Sequence, residues 1–269
     1  MRKDVADIAL AGGIFAPHYA RPEARSVSVA ACALYPAPQQ DAPAGSQLLF
    51  GEAFHVLDIA GGWAWGYCVH DHYVGYVPDE ALGRPLKATH FVSANAAPLF
   101  STADIKSCVK MTLSLGARLA GSIEGDFLAT EQGWVHRHHV APISTTFNDP
   151  VATAERLIGA PYLWGGRGAG GVDCSGLVQL ALELAGVECP RDSDQQRATL
   201  GIEVNEGEPL QRGDLIFFPG HVGFMADDSH LLHANAWWMA VVVEPLSDVV
   251  DRLRPNHDRP ILAIRRLEA

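Results

Sequence analysis

Apolar and polar positions alternate through SVSVAACALY, and the stretch QLLFGEAFHVLDIAGGWAWGYCVHDHYVGYVP is rich in β-branched and aromatic residues, interrupted by Gly-Gly, His-Asp-His and Pro. A period of two broken by turn residues predicts short strands, so residues 26–83 read as a small all-β unit. Pro36, Pro38 and Pro43 mark the loop between its first two strands. Residues 88–143 repeat the plan. THFVSANAAPLFS answers SVSVAACALYPAP, and GWVHRHHV stands where GYVPDEAL stood. Two copies of about 55 residues predict duplicated barrels, because a solenoid needs about three or more repeats.

From Val151 the pattern changes. In VATAERLIGAPYLW, Val151, Ala154, Leu157 and Ile158 fall on one helical face, and Gly159 with Pro161 stops the run. A glycine-rich loop follows, then a helix expected over Asp173 to Ala185, with Asp173 as N-cap and Gly186 just past its end. Its residues leave almost no polar face, so it belongs in the centre of a domain. Strands are expected at DLIFFPG, HVGFMAD, HLLHANA, MAVVVEPL and ILAIRRL. A helix on an antiparallel sheet is an α+β arrangement. The chain thus divides into an N-terminal segment (1–25), β domains at 26–87 and 88–145, and an α+β domain at 151–269, with TTFNDP as linker.

Composition narrows the function. With 48% apolar and 19% charged residues in 269, the chain can bury a sizeable core. A formal charge of −11 without basic runs argues against nucleic acid or an anionic membrane as partner. No apolar run approaches the ~20 residues of a membrane span. The five cysteines are widely spaced with no CxxC, which fits a reducing compartment. Arg2 and Lys3 followed by Ile8 to Ala16 resemble a short export signal, but Asp4, Asp7 and two glycines intrude. Cytoplasmic residence is the expectation, with export as the alternative.

Cys174 is the candidate nucleophile. It follows the N-cap, where unpaired amides and the helix dipole favour a thiolate and can hold an oxyanion. The upstream glycines would let a substrate backbone approach. A buried structural thiol is the alternative, and a base within reach decides between them. If Asp227-Asp228-Ser229 is a three-residue hairpin loop, residue 226 faces 230, His221 faces Asn235, and His233 is a diagonal neighbour on the same face. A two-residue loop would put the two imidazoles on opposite faces. His221 is then the base, held by His233 or Asn235. His230 reads as an ordinary exposed histidine.

The ordered set YLWGG, DCSGLVQ, PRDSDQQ, GDLIFFPGHVGFMAD and LLHANA resembles the NlpC-type cell-wall cysteine peptidases over residues 151–269. The resemblance implies a papain-like fold, Cys174 as nucleophile, His221 as base, His233 as its orienting partner and Tyr162 beside the oxyanion. The β modules resemble bacterial SH3-like domains, and the pairing resembles the γ-D-glutamyl-L-diamino acid endopeptidase (dipeptidyl-peptidase VI) subgroup. That likeness implies hydrolysis of the bond between γ-D-Glu and a diamino acid in murein peptides with a free N-terminal L-Ala. It also implies Tyr73 as a cleft-wall residue, Glu52 as partner of the substrate amine, and Asp173, Ser175, Ser193 and Trp164 as residues that hold the peptide. No cofactor and no metal are implied. His70 and His72, or His136 and His138, share strand faces, but no further ligand set is evident. Two rival readings are an exported wall-cleaving endopeptidase anchored by its β modules and a non-catalytic peptide-binding protein.

Overall fold

The computed structural model describes residues 2, 4–205 and 207–267, and divides into two compact units, 1–145 and 146–269.

The first unit is all β. Its first half builds a five-stranded sheet from Val74–Pro78, Trp63–Cys68, Ala53–Ala60, Glu23–Val27 and Leu82–Gly83, in that spatial order. Leu34, Leu48, Phe54, Val56, Ala64 and Val77 form its core. A second five-stranded sheet orders Val109–Ser114, Ala96–Phe100, Trp134–His136, Phe127–Thr130 and Gly121–Glu124. Its core also takes in Leu49 and Phe50 from the first half. The Arg118 amide donates to the Phe50 carbonyl at 2.7 Å, so the two β halves share backbone as well as side chains. The strand expected from residue 26 starts at Glu23. The segment before it is also structured: Val5–Asp7 pairs in parallel with His18–Ala20, and Tyr67 Oη donates to Asp7 at 2.5 Å.

The second unit surrounds one buried helix. Asp149 caps helix α1 (Pro150–Glu155), its carboxylate accepting from the Ala152 amide at 3.0 Å. All but Thr145 of the residues expected as linker therefore already belong to this unit. Helix α1 stops at Glu155, and Ile158, expected on its buried face, is half exposed because the last turn has unwound. Helix α2 (Cys174–Leu184) is capped by Asp173 as expected, and only Glu183 of its residues keeps real solvent access. Two further helices were not anticipated: α3 (Ser193–Thr199) and α4 (Leu246–Leu253).

The sheet behind α2 has six strands: β1 (Ile202–Glu203), β2 (Leu215–Phe218), β3 (His221–Met225), β4 (His230–Asn235), β5 (Ala240–Pro245) and β6 (Ala263–Arg266). Their spatial order is β1-β6-β2-β3-β4-β5, with antiparallel pairing throughout. The final strand thus inserts between β1 and β2. Ile216, Phe218, Met225 and Leu231 pack against Val249 of α4.

Candidate active site

The site begins at the start of α2. Asp173 is 5% exposed, and its two carboxylate oxygens gather four donors. Oδ1 takes the Gly176 amide at 2.7 Å and Ser175 Oγ at 3.4 Å; Oδ2 takes the Gly165 amide at 2.8 Å and Arg191 Nη2 at 2.6 Å. Arg191 is itself buried and also donates to Ser175 Oγ at 2.7 Å. The side chains of Asp173 and Ser175 are thus committed to the frame of the helix start. Nothing in the sequence flagged Arg191, whose partners lie 16 and 18 residues away.

Glycine at 176 serves the chain's own packing. A Cβ there would lie 2.2 Å from the Gly166 carbonyl oxygen, so the first turn of α2 rests directly on the preceding loop. Arg167, fully buried, pins the same loop to α2 through Glu183 at 2.9 Å.

Cys174 is 5% exposed. The backbone amides of Ser175 and of Val222, the residue after His221, lie close enough to the sulfur to favour its thiolate form. Helix α2 packs directly on strand β3. Burial, and secondly the Asp173 charge, push the thiol up to about 11; the two amides and Arg191 pull the other way and lose. The sequence reading of a thiol acidified by the helix start is thus reversed, because water exclusion outweighs the dipole. Tyr162 holds its phenol close enough to Cys174 and Asp173 for their charges to add to burial, and it rises to about 12. Its amide donates to the Met239 carbonyl at 2.9 Å, tying it to the β4–β5 turn.

The hairpin parity expected from the sequence holds. Met225 pairs with Leu231, and the Ala226 amide donates to the His230 carbonyl, so residue 226 faces 230. His221 Nε2 lies 2.8 Å from His233 Nδ1. Asn235, the alternative partner of His221, instead reaches His233 Nε2 at 2.7 Å. Gly223 makes the approach of the two strands feasible, since a Cβ there would sit 2.9 Å from His233 Cβ and 3.0 Å from the Leu232 carbonyl oxygen. Burial first, then the neighbouring His233, drives His221 down to about 3. At neutral pH the resting pair is therefore thiol and neutral imidazole.

His233 is 1% exposed, and Glu244 of β5 stands behind it, with Oε1 2.9 Å from Nε2. Arg252 of α4 donates to both Glu244 oxygens, at 2.6 and 3.1 Å. Sequence reasoning missed Glu244 altogether. Of the remaining expected residues, Trp164 is exposed, and Ser193 is half-buried at the start of α3. Tyr73 and Glu52 belong to the first unit. Tyr73 packs on its first core, and Glu52 is buried in a turn, accepting the Leu49 amide at 2.8 Å. Among the histidines considered as metal ligands, His136 and His138 stack edge to face with ring centroids 4.9 Å apart.

A thiol at a buried helix start, on a helix packed against the strand that carries His221, is the arrangement expected of one class, the cysteine-type peptidases. Comparison with known proteins carries this to the family. The NlpC/P60 family model matches residues 159–250, and that of the bacterial dipeptidyl-peptidase SH3 domain matches residues 34–82. The gamma-D-glutamyl-L-lysine dipeptidyl-peptidase of Bacillus cereus (strain ATCC 10987) is 33% identical over 238 residues, covering 75% of this chain and 70% of its own. The chain belongs to the NlpC/P60 family of peptidases. Dipeptidyl-peptidase 6 of Lysinibacillus sphaericus is 27% identical over 263 residues, covering 86% of this chain and 94% of its own. The crystal structure of an NlpC/P60 family protein from Bacillus cereus ATCC 10987 has a TM-score of 0.76 at 21% identity, covering 91% of this chain and 99% of its own, which speaks to the fold.

Proposed function

We propose that this peptidase hydrolyses the amide between γ-D-Glu and a diamino acid in murein-derived peptides that carry a free N-terminal L-Ala, through Cys174, His221 and His233. The carrying observation is the junction of two elements: helix α2, which begins at Cys174, packs on the strand that begins at His221, and His221 is tethered to His233 at 2.8 Å. That tether occupies Nε2 of His221 and leaves Nδ1 to take the thiol proton. As the proton moves, sulfur attacks the γ-carbonyl. The oxyanion is held by the Cys174 amide, which has no intrahelical partner, with Tyr162 alongside. His221 returns the proton to the leaving amine, and water then hydrolyses the thioester to release the dipeptide.

The names of the relatives, gamma-D-glutamyl-L-lysine dipeptidyl-peptidase above all, support the substrate class. In this reading the β halves are two SH3-like barrels. Glu52 and Tyr73 recognise the substrate amine, and Asp173, Ser175, Ser193 and Trp164 shape the peptide site, the first two through the frame they build. A site whose polar groups need a free amine rejects blocked peptides, because those groups would be left unpaired. The enzyme would then consume liberated peptides in the cytoplasm and spare intact wall, where the L-Ala amine is blocked. The test is incubation with L-Ala-γ-D-Glu-diaminopimelate, its N-acetylated form and intact sacculi, with products followed by mass spectrometry. Cleavage of the free tripeptide alone supports the proposal. Release from sacculi points to a wall-cleaving endopeptidase, and binding without turnover to a peptide-binding protein.

A further inference from the structure

Glu244 stands where it can govern the protons of the whole relay. His233 Nε2 has two close neighbours: Glu244 Oε1 at 2.9 Å and the Asn235 amide nitrogen at 2.7 Å. They ask for opposite things. A carboxylate only accepts, so it calls for a proton on Nε2; an amide nitrogen only donates, so it calls for a bare one. Asn235 cannot turn to resolve the conflict, because its Oδ1 accepts the Trp238 amide at 2.8 Å.

Charge decides the contest. A bare Nε2 facing a full negative charge costs more than an Nε2–H facing the N–H of a neutral amide, and the Asn235 amide has another acceptor in Glu244 Oε1 at 3.4 Å. Glu244 is also kept ionised. Burial raises it, but hydrogen bonds from Arg252, Trp238 and His233 outweigh that and hold it below the ordinary carboxyl range.

We propose that Glu244, clamped by Arg252 and Trp238, is a positioning residue that fixes the tautomer of both imidazoles and so leaves His221 Nδ1 bare to act as the base. With its proton on Nε2, His233 offers a bare Nδ1, which accepts Nε2–H of His221 across 2.8 Å. His221 Nδ1 then carries the lone pair. Without Glu244, the Asn235 amide donates to His233 Nε2. The His233 proton moves to Nδ1 and donates to His221 Nε2, and the His221 proton moves to Nδ1, where it blocks the base. Each ring keeps one proton in either state, so the exchange is neutral. During turnover the same carboxylate favours the imidazolium form of His221, while Arg252 opposes it. Cys174 of α2 is itself grouped with Tyr162, Asp173 and Arg191.

The inference rests on the peptidase reading only for its kinetic arm. The decisive experiment is a long-range proton–nitrogen correlation spectrum of the full chain labelled with 15N-histidine, taken near neutral pH without substrate. Wild type should give Nε2–H on both His221 and His233. Glu244→Ala should convert His221 to Nδ1–H, and the double variant with Asn235→Ala should restore Nε2–H, since the opposing donor is gone. Glu244→Gln, which keeps an acceptor and the fold, should fall between. On a cleaved peptide, kcat of Glu244→Ala should drop roughly 10- to 100-fold with KM little changed, and recover in part in the double variant. A purely structural role would lower the folded fraction and leave the tautomers alone. Nδ1–H on His233 in wild type, or unchanged tautomers in the Glu244 variants, overturns the proposal. An absence of turnover in wild type counts against the peptidase reading and leaves the tautomer result standing.

Discussion

Replacing Arg191 by Met removes a guanidinium that is almost wholly buried, against a carboxylate nearly as buried (side chains 2% and 8% exposed). The bonds lost include Nη2 to Asp173 at 2.6 Å and Nη1 to Ser175 Oγ at 2.7 Å. Hydrogen bonds to charged groups contribute about 1.5–3 kcal/mol each, and breaking one side of a buried pair costs about 3–5 kcal/mol. Asp173 keeps the Gly165 and Gly176 amides, so the lower end applies, about 3 kcal/mol. That is a large part of the roughly 5–15 kcal/mol that holds a domain together. Lysine should recover only part of the loss, because one ammonium cannot reproduce the fork that spans both partners. Because the chain has two units, the readout must be local to the second. Pulse alkylation of Cys174 and Cys189, both buried, across a urea series reports its unfolding by mass spectrometry. A destabilisation below about 1 kcal/mol for Arg191→Met would refute the reasoning, since it would mean that Asp173 is satisfied without its cation.

Three further outcomes are expected. Gly223→Ala should keep the fold but cut activity strongly, because the new methyl would lie 2.9 Å from His233 Cβ and push the relay off register; full activity in a peptide-release assay would contradict this. Alkylation of Cys174 by iodoacetamide should be slow at neutral pH and climb about tenfold per pH unit toward about 11, whereas a preformed thiolate–imidazolium pair would give a flat profile. His221, ordinary at 6.5 when unfolded and driven to about 3 when folded, binds its proton only in the unfolded chain between those values. Stability of the second unit should therefore fall as pH drops from about 6.5 toward about 3, and His221→Gln should flatten that slope in acid-unfolding curves.

The features legible in the sequence were those with local signatures. Helix α2 announces itself by its Asp173 cap and its unbroken apolar surface, and the pairing of His221 with His233 follows from the length of one hairpin loop. Arg191 and Glu244 carry no such mark. An arginine in PRDSDQQ and the glutamate that ends AVVVE read as surface charges until the fold buries them against partners on other elements. Helix α4 hid behind the β-branched run that precedes it, because Pro245 both ends β5 and opens the helix. The thiol was misjudged for a related reason: the helix start is visible in the sequence, but the depth of burial that reverses its effect is not. The β halves read as separate copies because the alternating pattern carries no sign that Leu49 and Phe50 cross into the second core.

The central claim is tested most directly by rapid quenching of the protein with L-Ala-γ-D-Glu-L-Lys, followed by intact-mass and peptide mapping. The account predicts an L-Ala-D-Glu acyl group on Cys174 that decays to free dipeptide and is absent in Cys174→Ala. Undiminished dipeptide release by Cys174→Ala, or acylation at another residue, would contradict it.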